Sequence, residues 1–207
     1  MKWNTFGFIG LGLIGGSLAM ALRRIYPDCR IMAYTRTRAT AEQAHAQHVI
    51  DDICESPSDL KFSACDCVFL CTPVQSNIAA LQSLKDVVTD TCILTDVGSV
   101  KSDIHQAASE LGLGGRFIGG HPMTGSEKSG FSSAQAHLFE NAYYVITPSE
   151  GTNPEALDIY RTLAADIGSL PLVLDYRQHD YVTAAVSHLP HLIAASLVNT
   201  VHDLDSK

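Results

Sequence analysis

Basic charge is scarce in this 207-residue chain: 14 Lys and Arg stand against 22 Asp and Glu, a net charge of −8. A surface of that sign repels a phosphate backbone, which excludes nucleic acid as the main partner. Charged residues make up only 17% and prolines number 8, while apolar residues reach 46%, so a disordered chain, a collagen and a coiled coil are excluded as well. The apolar stretch that follows Phe6 is broken by five glycines within ten positions, which fits neither a signal peptide nor a membrane helix. A cytoplasmic protein with no membrane partner is expected. Cysteine is confined to the first half (Cys29, Cys54, Cys65, Cys67, Cys71, Cys92) and lacks metal-finger spacing. Buried reduced thiols are the expected reading, and no metal site is expected.

What is present is an alternation of short β-type runs with longer helix-type segments over the first 170 residues or so, the pattern of a parallel sheet with crossover helices. Strands are expected at Phe6 to Ile9, Arg30 to Tyr34, Cys67 to Cys71, Cys92 to Asp96, Phe117 to Gly119 and Tyr143 to Ile146. Helices are expected at Leu13 to Ile25, Asn77 to Val88, Lys101 to Leu111 and Pro154 to Ile167. From about Asp175 to Leu204 the pattern becomes one long helix interrupted only by Pro190, apolar on more than one face, which demands a further partner. The expected architecture is an α/β, Rossmann-type dinucleotide-binding domain over residues 1–171, followed over 172–207 by the start of an all-α dimerisation domain. That last helix calls for a second subunit, a homodimer, or for further chain beyond Lys207.

Gly10, Gly12 and Gly15 form G-x-G-x-x-G between the first strand and the first helix. The first permits a tight turn, the second lets a pyrophosphate approach the backbone, and the third packs helix on strand, while the helix N-terminus, at Leu13 and Ile14, attracts the phosphates. A dinucleotide site follows, with Cys71-Thr72-Pro73 and Gly98 along its edge. An acid at the end of the second strand would bind the ribose 2'-hydroxyl of NAD, and the sequence has Tyr34-Thr35-Arg36-Thr37-Arg38 instead. Thr35 and Arg36 therefore predict NADP as the preferred cofactor, with NAD possible.

Three further runs carry chemistry: Asp96-Val97-Gly98-Ser99-Val100-Lys101, Gly119-Gly120-His121-Pro122-Met123-Thr124-Gly125-Ser126-Glu127-Lys128-Ser129-Gly130, and His188-Leu189-Pro190-His191. Strand ends of a parallel sheet gather on the ligand side, so Ser99 and His121 should face the nicotinamide half, with Gly119-Gly120 leaving room for a close ligand. An imidazole titrating near neutrality can take a proton from an alcohol as hydride leaves the same carbon. His188 and His191 share a helix face and suit a dicarboxylate. His179 reads as a polar residue near the helix start.

Together with the glycine turn, these runs resemble the prephenate and arogenate dehydrogenases of tyrosine biosynthesis over essentially the whole chain. The resemblance implies oxidative decarboxylation of prephenate or arogenate, with His121 on the ring hydroxyl, Ser99 orienting it, and Ser126, Glu127, His188 and His191 in the substrate region. It also implies a further helical portion past Lys207, where the family carries an arginine for the substrate carboxylate. Two alternatives stay open: another Rossmann dehydrogenase of the β-hydroxyacid type, which would use a lysine in its helical portion, and a nucleotide-binding module without turnover.

Overall fold

Strand β1 (Thr5–Ile9) is apolar on both faces because it is the middle strand of a sheet covered on both sides. The computed structural model, which describes residues 3–205, orders five strands β3-β2-β1-β4-β5, with β2 at Arg30–Tyr34, β3 at Asp52–Ile53, β4 at Cys67–Leu70 and β5 at Ile93–Asp96. All four pairings are parallel, Phe8 lying beside Ala33 on one side and Phe69 on the other. Strand order reverses between β1 and β4, and that switch point opens the ligand crevice at the strands' carboxyl ends.

Helix α1 (Leu13–Ile25) buries Leu18, Ala21 and Leu22 on one face of this sheet, where Phe6, Phe8, Phe69, Tyr144 and Tyr160 complete the core. The opposite face buries Ile9, Met32, Val68, Leu70, Leu81, Leu94 and Phe117. Helix α2 (Arg38–Ala46), which the sequence reading misses, buries only Ala41 and Ala44, too little apolar surface to leave a clear periodic signal. Helices α3 (Val74–Leu84), α4 (Ser102–Glu110) and α5 (Pro154–Asp166) match the expected segments to within a few residues.

The parallel sheet expected from sequence over the first 170 residues is corrected: the parallel pattern does not extend to the end of the domain. Strands β6 (Ile118–Pro122), β7 (Tyr143–Pro148) and β8 (Leu170–Val173) form a separate three-stranded sheet in which β6 and β7 run antiparallel. The reason lies in residues 123–142, which hold only one short 3₁₀ turn at Phe131–Ser133 and no crossover helix, so the chain turns back on itself. A parallel bridge between Leu94 and Phe117 ties this sheet to β5.

Asp175 starts the final helix, its carboxylate accepting from the N–H groups of Arg177 and Gln178. The helix runs as α6 (Tyr176–Thr183), a wide π turn at Ala184–His188, and α7 (Leu189–Asp205). Pro190 lacks the N–H that would bond the Val186 carbonyl, and the π turn absorbs that loss on its N-terminal side instead of breaking the helix. Along α7, Leu189, Leu192, Ile193, Leu197, Val198, Val201 and Leu204 are all more than half exposed.

Candidate active site

The glycine turn has the geometry its spacing implies. Gly10 sits at φ +97°, and a Cβ there would meet the Cys71 carbonyl oxygen at 2.9 Å. At Gly15 a Cβ would collide with the Gly10 carbonyl oxygen and come within 2.8 Å of the Cys71 Cβ, so this glycine sets the close packing of helix on strand. Gly12 differs: a Cβ there would meet nothing within 4 Å. Gly12 is also the N-cap of α1, with no side-chain cap and no acid in the first turn. The N–H groups at Leu13 and Ile14 therefore lie at a positively polarised helix end beside open space, which fits the pyrophosphate of a dinucleotide. Thr72 donates from both its N–H and its hydroxyl to Asn77 Oδ1, and Pro73 caps α3, which holds the Cys71–Pro73 segment along the cleft edge. Burial drives the Cys71 thiol far up, so it serves packing and not nucleophilic chemistry. At the end of β2, Thr35 donates to the Thr37 carbonyl and Arg38 is held by Glu42 and Glu55. Arg36 is exposed and forms no hydrogen bond or ion pair with any described residue.

At the end of β5, Asp96 and Lys101 form an ion pair with both side chains 0% exposed. The Lys101 ammonium also donates to the Gly120 carbonyl at 2.8 Å, and Asp96 accepts from the N–H of Gly98 at 2.9 Å. The pair thereby pins the loop after β5 to β6 at the residue before His121. The space expected at Gly119 and Gly120 for a ligand is already filled. A Cβ on Gly120 would meet the Asp96 carbonyl oxygen at 2.7 Å and the Tyr144 ring at 2.9 Å, and one on Gly119 would strike the Thr147 hydroxyl. These two glycines serve strand packing.

His121 lies in β6 with its Nδ1 2.9 Å from His179 Nε2, and His179 Nδ1 lies 2.9 Å from Asp180 Oδ1. His179 is 1% exposed, so the reading of it as an ordinary polar residue at the helix start is corrected: it is buried against the candidate base. Nothing in the spacing announces a contact between positions 58 residues apart. The near-neutral titration expected of His121 is corrected: burial, the Lys101 ammonium and the neighbouring imidazoles of His179 and His188 lower its pKa to about 4, which keeps its ring neutral at physiological pH. Asp180 accepts from the N–H groups of Lys101 and Ser102 and from the Ser102 hydroxyl. Burial raises its pKa, but these hydrogen bonds and that of His179 outweigh it, and the carboxyl is held below its usual range.

Ser99 is exposed on the loop after β5, next to Gly98. Ser126 and Glu127 line a cavity of about 350 Å³ together with Leu13, which brings the loop after β6 to the N-terminal end of α1. That loop is docked on α1: Gln135 N–H donates to the Ser17 hydroxyl, and Phe131 fills the space over Gly16. His188 stands in the π turn, close enough to His121 to act on its charge, whereas His191 is exposed in the first turn of α7, its side chain forming no hydrogen bond with a described residue. A second cavity, about 860 Å³ and lined by Ser102, His105, Tyr176 and Arg177 among others, contains none of the expected site residues.

A family model described as the prephenate dehydrogenase nucleotide-binding domain matches residues 18–170, and one described as the prephenate dehydrogenase dimerization domain matches residues 175–207. The chain belongs to the prephenate dehydrogenase family. Prephenate dehydrogenase of Bacillus subtilis is 37% identical over 203 residues, covering 96% of this chain and 54% of that protein. The chain spans about half the length of the curated prephenate dehydrogenases it matches first, from B. subtilis and Lactococcus lactis, at 54% and 52%. Among solved structures, prephenate dehydrogenase from A. aeolicus in complex with hydroxyphenyl propionate and NAD+ aligns with a TM-score of 0.91 at 32% identity, over 98% of this chain and 71% of that one. Synechocystis arogenate dehydrogenase aligns with a TM-score of 0.86 at 37% identity, over 95% and 68% of the two chains.

Proposed function

We propose that the protein oxidatively decarboxylates prephenate or arogenate, passing hydride to a nicotinamide dinucleotide and giving 4-hydroxyphenylpyruvate or tyrosine. The observation that carries this reading is a neutral imidazole, His121, in β6 of the smaller sheet, which Lys101 pins through the Gly120 carbonyl to the end of β5 in the sheet whose first turn is built for a dinucleotide. Its Nε2 has no hydrogen-bond partner among the described residues and is free to take the ring hydroxyl proton, a contribution of roughly 10²- to 10⁴-fold. The nicotinamide, when bound, receives the hydride from the same carbon. The carboxylate then leaves as carbon dioxide, its bonding pair aromatises the ring, and the phenolate oxygen recovers the proton from His121. Ser99 orients the hydroxyl, while Ser126, Glu127, His188 and His191 face the rest of the substrate. The β-hydroxyacid alternative loses its support, since the final helix carries no lysine among the described residues.

NADP is the proposed preferred cofactor, supported by the absence of an acid at the end of β2 and by the uncommitted guanidinium of Arg36. One charge-assisted hydrogen bond to a 2'-phosphate contributes on the order of 1.5–3 kcal/mol, about ten- to a hundredfold. A clear preference for NAD in kcat/KM would overturn this. Residues 1–171 are read as the nucleotide-binding domain and 172–207 as the beginning of the dimerisation domain of a cytoplasmic homodimer. Residues Tyr176–Leu204 are by length and composition sufficient to cross a membrane. A second copy is the better cover, because Arg177, Asp180 and four histidines along that helix would be costly in hydrocarbon. Sedimentation as a stable monomer at micromolar concentration would contradict the homodimer. Purified native protein of full length, supplied with prephenate and with arogenate, should reduce the cofactor with at least one of them; turnover of neither supports the non-catalytic module.

A further inference from the structure

We propose that His179 and Asp180 are positioning residues that fix the tautomer of His121, directing the lone pair of its Nε2 into the cleft. The role rests on the dehydrogenase reading above for its purpose, and on hydrogen-bond logic for its content.

The logic starts at Asp180. Its carboxylate receives the N–H groups of Lys101 and Ser102 at 2.7 and 2.8 Å and the Ser102 hydroxyl, so it is ionised and can only accept. His179 Nδ1, 2.9 Å from Oδ1, must therefore carry a proton. In the imidazole form, with its one proton on Nδ1, His179 has only a lone pair at Nε2. His121 Nδ1 lies 2.9 Å from that lone pair and must itself carry a proton, which leaves the His121 lone pair on Nε2. The Thr183 hydroxyl also reaches His179 Nε2, but at 3.4 Å, and it is the weaker donor there. Without this chain of acceptors either tautomer of His121 would form, and the one protonated on Nε2 cannot take a hydroxyl proton.

The arrangement also serves the charge that develops. When Nε2 receives the hydroxyl proton, the ring becomes an imidazolium whose Nδ1–H points at an imidazole backed by a carboxylate. The proton stays on His121, and none passes on to His179 or Asp180. Asp180 sits in α6 while its partners lie at the start of α4, so the carboxylate that sets the tautomer also fastens the final helix to the nucleotide-binding part. A base oriented from that helix is in place only when the helix is docked.

The test is nitrogen NMR of histidine-labelled protein, read beside steady-state kinetics. His121 in the unaltered protein should report the Nδ1–H tautomer. His179→Leu removes the acceptor and should mix the tautomers, lower kcat by about 10²-fold and leave dinucleotide affinity unchanged. His179→Gln offers a carbonyl oxygen where Nε2 stood and should restore most of the tautomer preference and of kcat; it also keeps the question open to test if the Leu variant does not fold. Asp180→Asn can present its amide N–H to His179, which inverts both rings and should give the Nε2–H form of His121. A His121 found as the Nε2–H tautomer in the unaltered protein, or one that keeps its tautomer and kcat in His179→Leu, overturns the proposal. Loss of the tautomer in His179→Gln overturns it too. Absence of turnover with the expected tautomer present would instead remove the dehydrogenase reading and leave the orientation intact.

Discussion

Replacing Lys101 by Met tests how the strand ends beneath the site are held. The two side chains are similar in volume, so the change removes charge with little change in packing. In the native fold Lys101 and Asp96 are paired and fully buried, and once Lys101 is replaced Asp96 is left with the Gly98 N–H at 2.9 Å and a long contact to the Gly120 N–H at 3.4 Å. The Gly120 carbonyl loses its ammonium donor as well. Burial alone lowers the Lys101 pKa, and the facing Asp96 opposes that shift, so each charge depends on the other. Breaking a buried pair by removing one partner costs about 3–5 kcal/mol, chiefly because an unpaired charge stays behind. For a protein of this size that lowers Tm by roughly 6–20 °C at fixed protein concentration. Adding Asp96→Asn removes the stranded charge, so the double variant should melt well above the sum of the two single losses. Differential scanning calorimetry at neutral pH reads all three. A Lys101→Met protein that melts within 3 °C of the unaltered one, or two losses that simply add, would refute the claim that the pair holds this region.

Two further outcomes follow from the same geometry. Gly12→Ala adds a methyl where nothing lies within 4 Å, so Tm should stay within a degree or two while dinucleotide affinity, read by calorimetric titration, falls at least about tenfold; a lost fold or an unchanged Kd would contradict the cradle. Burial, foremost, and the Lys101 charge lower the pKa values of His105 and His121 to about 4, so the unfolded chain takes up protons near pH 6.5 that the folded protein refuses. Stability should therefore fall as pH drops from about 6.5 to 4, by about 3 kcal/mol for each ring, and His105→Gln should remove part of that fall. Urea midpoints at pH 7 and 4.5 that are equally spaced in both proteins would contradict this.

Local patterns were legible in the sequence and long-range contacts were not. Gly10, Gly12 and Gly15 declare themselves because their roles depend on neighbours a few residues away; the structure shows the tight turn at Gly10 and the close helix-on-strand packing at Gly15, and leaves open space at Gly12. His121 stands out by its run of flanking residues. The burial of Asp96 against Lys101, by contrast, depends on β6 closing over the end of β5, and the contact of His121 with His179 depends on where α6 docks. Neither has a periodic signature. Gly119 and Gly120 show the opposite error: glycine invites a ligand reading, but Thr147, Tyr144 and Asp96 occupy the space. The antiparallel return of β7 escaped because strand runs look alike whichever way they pair, and only the missing crossover helix distinguishes them.

The central claim is that His121 removes the ring hydroxyl proton at the mouth of the dinucleotide cleft. Kinetics of His121→Asn in the native full-length protein test it most directly. Dinucleotide Kd should be unchanged and kcat with prephenate or arogenate should fall at least about a hundredfold; an unchanged kcat would contradict the account.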